Sequence, residues 1–250
     1  MLQVPRRTGL SGPTLVRLLA RLADADAPAP ASSLSSQLSQ WLGWADAIAL
    51  SSALKAHAAA TPAPASAGGS TEAQECARVR ARLVDAIAED TAPAARRRGP
   101  ARPSALPDPV DAQVDYAVHR QRYQTLQQAM ETAIGNARGR LRAALSARTP
   151  ALAKLAMVDA VMERVLGMRE QSLLGAVPNL LEPHFQRLRR AEAAALEAQA
   201  QGPGQSAQPA AVRPGAWLGV FRKDMQSVLL AELEIRWQPV EGLLAALQDS

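Results

Sequence analysis

Apolar residues return every three or four positions in stretch after stretch of this chain, and nowhere do they alternate one by one. That spacing is the surface of an α-helix; alternation is the mark of a half-buried strand. The composition agrees. Ala, Leu, Arg and Gln favour helix, and aromatics are only 3% of 250 residues. The reading is an all-α fold, an irregular helical bundle of about six to seven helices with Pro/Ala/Gly-rich linkers. Hydrophobic residues at 48% against 20% charged place the chain among folding sequences rather than disordered ones.

The helices can be placed by stripe and cap. Ser11-Gly12-Pro13 opens the first; Leu15, Leu18, Leu19 and Leu22 form its inward stripe, with Arg17 and Arg21 opposite. A second follows Ser32 or Ser33, carried by Leu34, Leu38, Trp41, Leu42, Ala45, Ile48 and Ala49. Residues 1–60 thus read as an N-terminal helical hairpin, its apolar faces turned together or onto the rest of the protein. Residues 61–71 are a flexible linker.

Residues 72–200 read as a long-helix core bundle, interrupted by an Arg/Pro-rich linker at 92–109. Its first helix turns Cys76, Val79, Leu83, Ala86 and Ile87 inward. A long helix from Val110 to about Ala147 follows, with Asp111 in its first turn. Thr149-Pro150 caps and starts the next, which carries Leu152, Leu155, Val158, Met162, Val165 and Leu166. Pro178 and Pro183 break or kink the chain before a helix from His184 to Ala200. Residues 201–214 are a linker. In 215–250 a C-terminal helix docks on the core through Leu218, Phe221, Met225, Val228, Leu229, Leu233 and Trp237, and Pro239 stops it.

Arg6 and Arg7 before an apolar run imitate a secretory signal, but Arg17 and Arg21 interrupt it, so a cytoplasmic location is expected. No stretch is long and apolar enough to span a bilayer. One cysteine, Cys76, supports neither an internal disulfide framework nor a Cys-based zinc site; it reads as a buried small hydrophobe.

The residues that could carry chemistry are scattered. His57, His119 and His184 belong to no metal-ligand spacing. His119 reads as a solvated or half-buried face. Asp159 and Glu163 stand four apart on one helix face and read as a salt-bridge face with Arg164 and Arg169. A carboxylate-based hydrolase or nuclease would have to be assembled around such acids. Gly68-Gly69-Ser70-Thr71 lacks the Lys of a phosphate loop. No catalytic residue, cofactor or metal is assigned.

Arginine is the distinctive charge, and three groups of it stand out. They are Arg96, Arg97, Arg98 and Arg102; then Arg138, Arg140, Arg142 and Arg148; then Arg187, Arg189 and Arg190. The candidates for nucleic-acid or partner contact are Arg96, Arg97, Arg98, Arg102, Arg138, Arg142, Arg187 and Arg190. Such groups could neutralise phosphates, although no interleaved aromatics supply a stacking platform. Trp41, Trp44, Trp217 and Trp237 are the interface or core anchors.

Particular runs are familiar. Residues 7–13 (Arg-Thr-Gly-Leu-Ser-Gly-Pro), Leu15 to Leu22, and Leu38 to Trp44 resemble the uncharacterised bacterial family of domain of unknown function 3348. So do Arg96 to Pro103, Asp108 to Asp111 and Val158 to Glu163. The resemblance covers most of the chain and brings no catalytic motif. It implies an accessory protein that travels with a MotA/TolQ/ExbB-type proton channel and an OmpA-like peptidoglycan-binding partner. That grouping is similar to Zorya-type anti-phage defence in its variant with two extra proteins. The expected role is a non-enzymatic helical adaptor or effector with protein partners: an inner-membrane channel complex and a second accessory protein. The alternative is a nucleic-acid binder.

Overall fold

A computed structural model describes residues 14–23, 41, 43–55, 68–91, 115–200 and 213–249. Among them lie seven helices: α1 (Thr14–Ala23), α2 (Trp44–Lys55), α3 (Gly68–Thr91), α4 (Tyr116–Ser146), α5 (Pro150–Gly175), α6 (Val177–Ala200) and α7 (Ala216–Gln248). No strand occurs among the described residues. The fold is an all-α bundle.

The two longest helices, α4 and α7, form its centre and pack on each other. α3 lies against both, and so do α5 and α6; α1 rests on α6 and α7, and α2 on α5. α1 therefore turns its leucines onto the body, whereas α2 rests there on Ala53 and leaves Ala45 and Ile48 of its expected stripe exposed.

Local chemistry sets several boundaries. Thr149 accepts a hydrogen bond from the Leu152 backbone, and Pro150 occupies the first turn of α5, where its missing N–H is not needed. α4 starts later than its sequence suggests. Asp115, extended at φ −87° and ψ 122°, caps it by accepting from Ala117 N at 2.9 Å. Gly215 precedes α7 in the left-handed region at φ 84° and has no side chain to cap with. Glu192 of α6 does this from a distance, accepting from Gly215 N at 2.8 Å and Trp217 N at 3.1 Å.

Two proline expectations are corrected. α6 begins at Val177, before Pro178, and runs through Pro183. α7 does not stop at Pro239; it continues to Gln248. A proline inside a helix costs about 3 kcal/mol, from the lost hydrogen bond and the clash of its ring with the preceding turn. Beyond Pro239, Val240, Leu243 and Leu247 are all buried, and each is worth about 1.5–3 kcal/mol, so continuation wins. Likewise α3 begins at Gly68, inside the stretch expected to be linker.

The core contains the expected stripes of α3 and α7, Cys76 included. One end is aromatic. Phe185 and Phe221 meet edge-on at 4.9 Å between centroids, and Trp217 meets Phe185 at 4.8 Å. His119 sits among them, 5.6 Å from Phe185 and 5.3 Å from Phe221, and is 1% exposed. His119 is thus neither solvated nor half-buried, as its position had suggested: the α4 face carrying it is covered by α6 and α7. Leu155 departs the other way, outside the core face of α5.

Candidate functional site

α4 packs on α3, α5, α6 and α7, and several of its polar side chains meet partners there or line grooves. Glu232 of α7 is fully buried. A carboxylate there is costly unless every lone pair finds a donor. Tyr123 donates to it at 2.7 Å, Gln127 at 2.9 and 3.1 Å, and Arg236 Nε at 2.9 Å. Arg236 reaches on to Glu170 of α5 at 3.0 Å, and Gln127 also donates to the Leu174 carbonyl at 2.9 Å. Five side chains from three helices thus form one closed network. Burial pushes the Tyr123 hydroxyl up, with the Glu232 charge adding to it. Burial also raises Glu170, against the pull of Arg236 and Arg138.

This network is the floor of a groove of about 280 Å³. Its walls are Gln121, Gln124, Gln128 and Glu131 of α4 and Gln171 of α5, while Gln127 and Arg236 close the bottom. A second groove, of about 410 Å³, lies at the start of α4. There Arg120 faces Glu182, Gln186 and Arg189 of α6. Beneath it Tyr116 donates to the Pro178 carbonyl, and burial together with the Glu182 charge raises its hydroxyl well above the usual range.

The sequence-derived candidates divide. Arg138 and Arg142 are committed inside the protein. Arg138 grips Asp159 at 2.7 and 3.3 Å; Arg142 contacts Asp159 at 2.9 Å and Glu163 at 2.5 Å. The partners of Asp159 and Glu163 are therefore on α4, not Arg164 and Arg169 as expected. Arg164 pairs with Asp46 of α2 at 3.2 Å, and the Arg169 guanidinium lies 5.3 Å from the centre of the Trp41 ring. Phosphate has no open guanidinium pair at Arg138 and Arg142, and the two acids are bound to arginines. Among the described residues no group of three acids, histidines or cysteines could hold a metal.

Arg187 donates to the Leu22 carbonyl at 2.5 Å, holding the end of α1, and to His184 Nδ1 at 3.2 Å. His184 Nε2 lies 2.8 Å from Asp224. A guanidinium only donates, so Nδ1 accepts and Nε2–H points at the carboxylate. Arg190 is exposed. Trp237 is core, Trp217 packs on Phe185, Trp41 is half-buried, and Trp44 stands 84% exposed, so it anchors no core. Arg96, Arg97, Arg98, Arg102 and His57 lie outside the described residues.

The sequence reading passed over Glu232, Arg236, Tyr123 and Gln127. A signal was there. Glu232 follows Met225, Val228 and Leu229 at the spacing of the inward stripe, so it is a charge written at a core position.

The family model described as Protein of unknown function (DUF3348) matches residues 1–249. The chain belongs to this family. No curated protein and no solved structure matches it. No helix of the described residues is long and apolar enough to cross a membrane.

Proposed function

We propose that this DUF3348 protein is a helical adaptor, working in the cytoplasm by contact rather than by bond-breaking. Its partners would be the components of a proton-channel-linked system of the MotA/TolQ/ExbB plus OmpA-like kind, with anti-phage defence of the Zorya type as the setting. The resemblance in sequence motivates the setting. One observation carries the contact role: large apolar side chains stand in water on the α2–α5 layer. Trp44 is 84% exposed and Ile48, one turn on, 51%; Met168 of α5 is 77% exposed. Tryptophan and methionine are costly to leave solvated and are favoured at contact surfaces.

The test is co-purification of the full chain with the channel subunits and the OmpA-like protein expressed together. Association is expected, and Trp44→Ser with Met168→Ser should weaken it about tenfold or more, as loss of a hot spot does. A parent chain that fails to co-purify overturns the partner assignment. A double variant that co-purifies like the parent moves the contact away from α2–α5.

A further inference from the structure

We propose that the outward face of α4 from Ala117 to Glu131 is a docking track for an extended polypeptide segment that carries charges of both signs. The proposal rests on the adaptor reading and names a second surface and the partner chemistry it fits.

The track is continuous. Ala117, Gln121, Gln124 and Gln128 follow at steps of four, three and four, which keeps them on one side of a helix. Both grooves open onto that side. From Ala117 to Glu131 the rise is about 21 Å, the length of roughly six residues of extended chain.

Its chemistry is that of an amide ladder. Each glutamine offers one acceptor and two donors. An extended backbone leaves N–H and C=O groups that must be paired when covered. Successive glutamines rise about 4.5 or 6 Å along α4, while like-facing peptide groups recur about every 6.6 Å in a strand. The flexible side chains close that difference. The floor is rigid, because Gln127 and Arg236 are already fixed by Glu232.

Charge decides the class of partner. Arg236 in the floor is already answered by Glu232 and Glu170, so the charges the two grooves offer are Arg120 and Arg189 against Asp115, Glu182 and Glu131. A surface with no basic excess gains little from releasing the counterions of phosphates, so the chief driving force for nucleic-acid binding is missing. Arg120 and Arg189 form no ion pair among the described residues, which leaves both guanidiniums open to carboxylates. The walls are amide and charge rather than apolar, which also disfavours an amphipathic helix laid in by its greasy face.

The experiment uses the full chain against a displayed library of random twelve-residue peptides, with a labelled DNA duplex as the competing probe. Enriched peptides should carry acidic and basic residues together. Gln121→Ala, Gln124→Ala and Gln128→Ala combined should weaken them about tenfold or more, from three lost hydrogen bonds. Alanine is the better helix former, so α4 is retained. Arg189→Glu should shift the selected peptides toward basic residues. Absence of enrichment, equal binding by the triple variant, or binding of the duplex alone would overturn the track. A chain that co-purifies with the channel system yet selects no peptide loses the track and keeps the adaptor role. The reverse pair of results keeps the track and removes the assigned partner.

Discussion

Two arginine–carboxylate clusters tie α4 to its neighbours, and they differ in where water stands. In one, Arg138 and Arg142 hold Asp159 and Glu163 across the short turn between α4 and α5. The side chains of Arg138 and Asp159 are 11% exposed, and that of Glu163 is 31% exposed. In the other, Glu232 is sealed and its partners Tyr123 and Gln127 come from more than a hundred residues earlier in the chain. The first cluster keeps some hydration whichever way its charges are arranged. The second has lost its hydration, so each member depends on the others. Buried ion networks of that kind stabilise little in total but penalise any arrangement that leaves one member alone. The comparison assigns the outer cluster to fastening neighbouring helices and the inner one to fixing the register of α4 against α7.

The sharpest way to break this contrast is Glu232→Ala. It strands Arg236, Gln127 and Tyr123 in the core and should lower unfolding free energy in urea by about 3–5 kcal/mol. Glu232→Leu combined with Arg236→Met, apolar groups of similar size, should recover only part of that loss, because Tyr123 and Gln127 still lack their acceptor. A single variant as stable as the parent would remove the inner cluster from the account. Asp159→Ala should cost less, about 1–2 kcal/mol, because Arg138 and Arg142 keep Glu163 and some water. Smaller again is Glu163→Ala, below about 1 kcal/mol and reduced further in about 1 M salt, where the outer cluster is screened and the inner one is not.

The smallest effect is one of pH. Burial raises Glu170 above the ordinary carboxylate range. The folded state therefore holds this proton more tightly than the unfolded chain. That contribution is complete below the ordinary carboxylate value and is lost as pH rises through the raised one. Glu170→Gln cannot titrate. Its thermal stability relative to the parent should climb as pH rises above the ordinary carboxylate value of about 4.3 and level off once the parent's Glu170 has ionised. A difference that is flat or falling would show that the pull of Arg236 outweighs burial at this carboxylate.

Much of the architecture was legible one residue at a time. Thr149-Pro150 marked the start of α5, and the apolar stripes of α3 and α7 pointed to side chains that are now core. Helical period and caps are local properties, so a short window suffices to read them. The candidate site was hardly legible. Asp159 and Glu163 could be seen sharing a face, yet the arginines that answer them lie 17 to 21 residues earlier on another helix. Nearer arginines at 164 and 169 were the natural choice, and packing of α2 on α5 drew those to Asp46 and Trp41 instead. His119 stands between Val118 and Arg120, so its own sequence neighbours left its burial open; its real neighbours are Phe185 and Phe221.

What this sequence determined by itself is a set of helices and, for the most part, the side each turns inward, since turn-by-turn spacing needs no distant partner. Tertiary structure decided which charges neutralise one another, that Arg120 and Arg189 form no ion pair among the described residues, and that α7 runs on through Pro239. Those outcomes depend on burial. Only when α4, α5 and α7 close together does removal from water make an unpaired charge expensive and a broken helical hydrogen bond affordable.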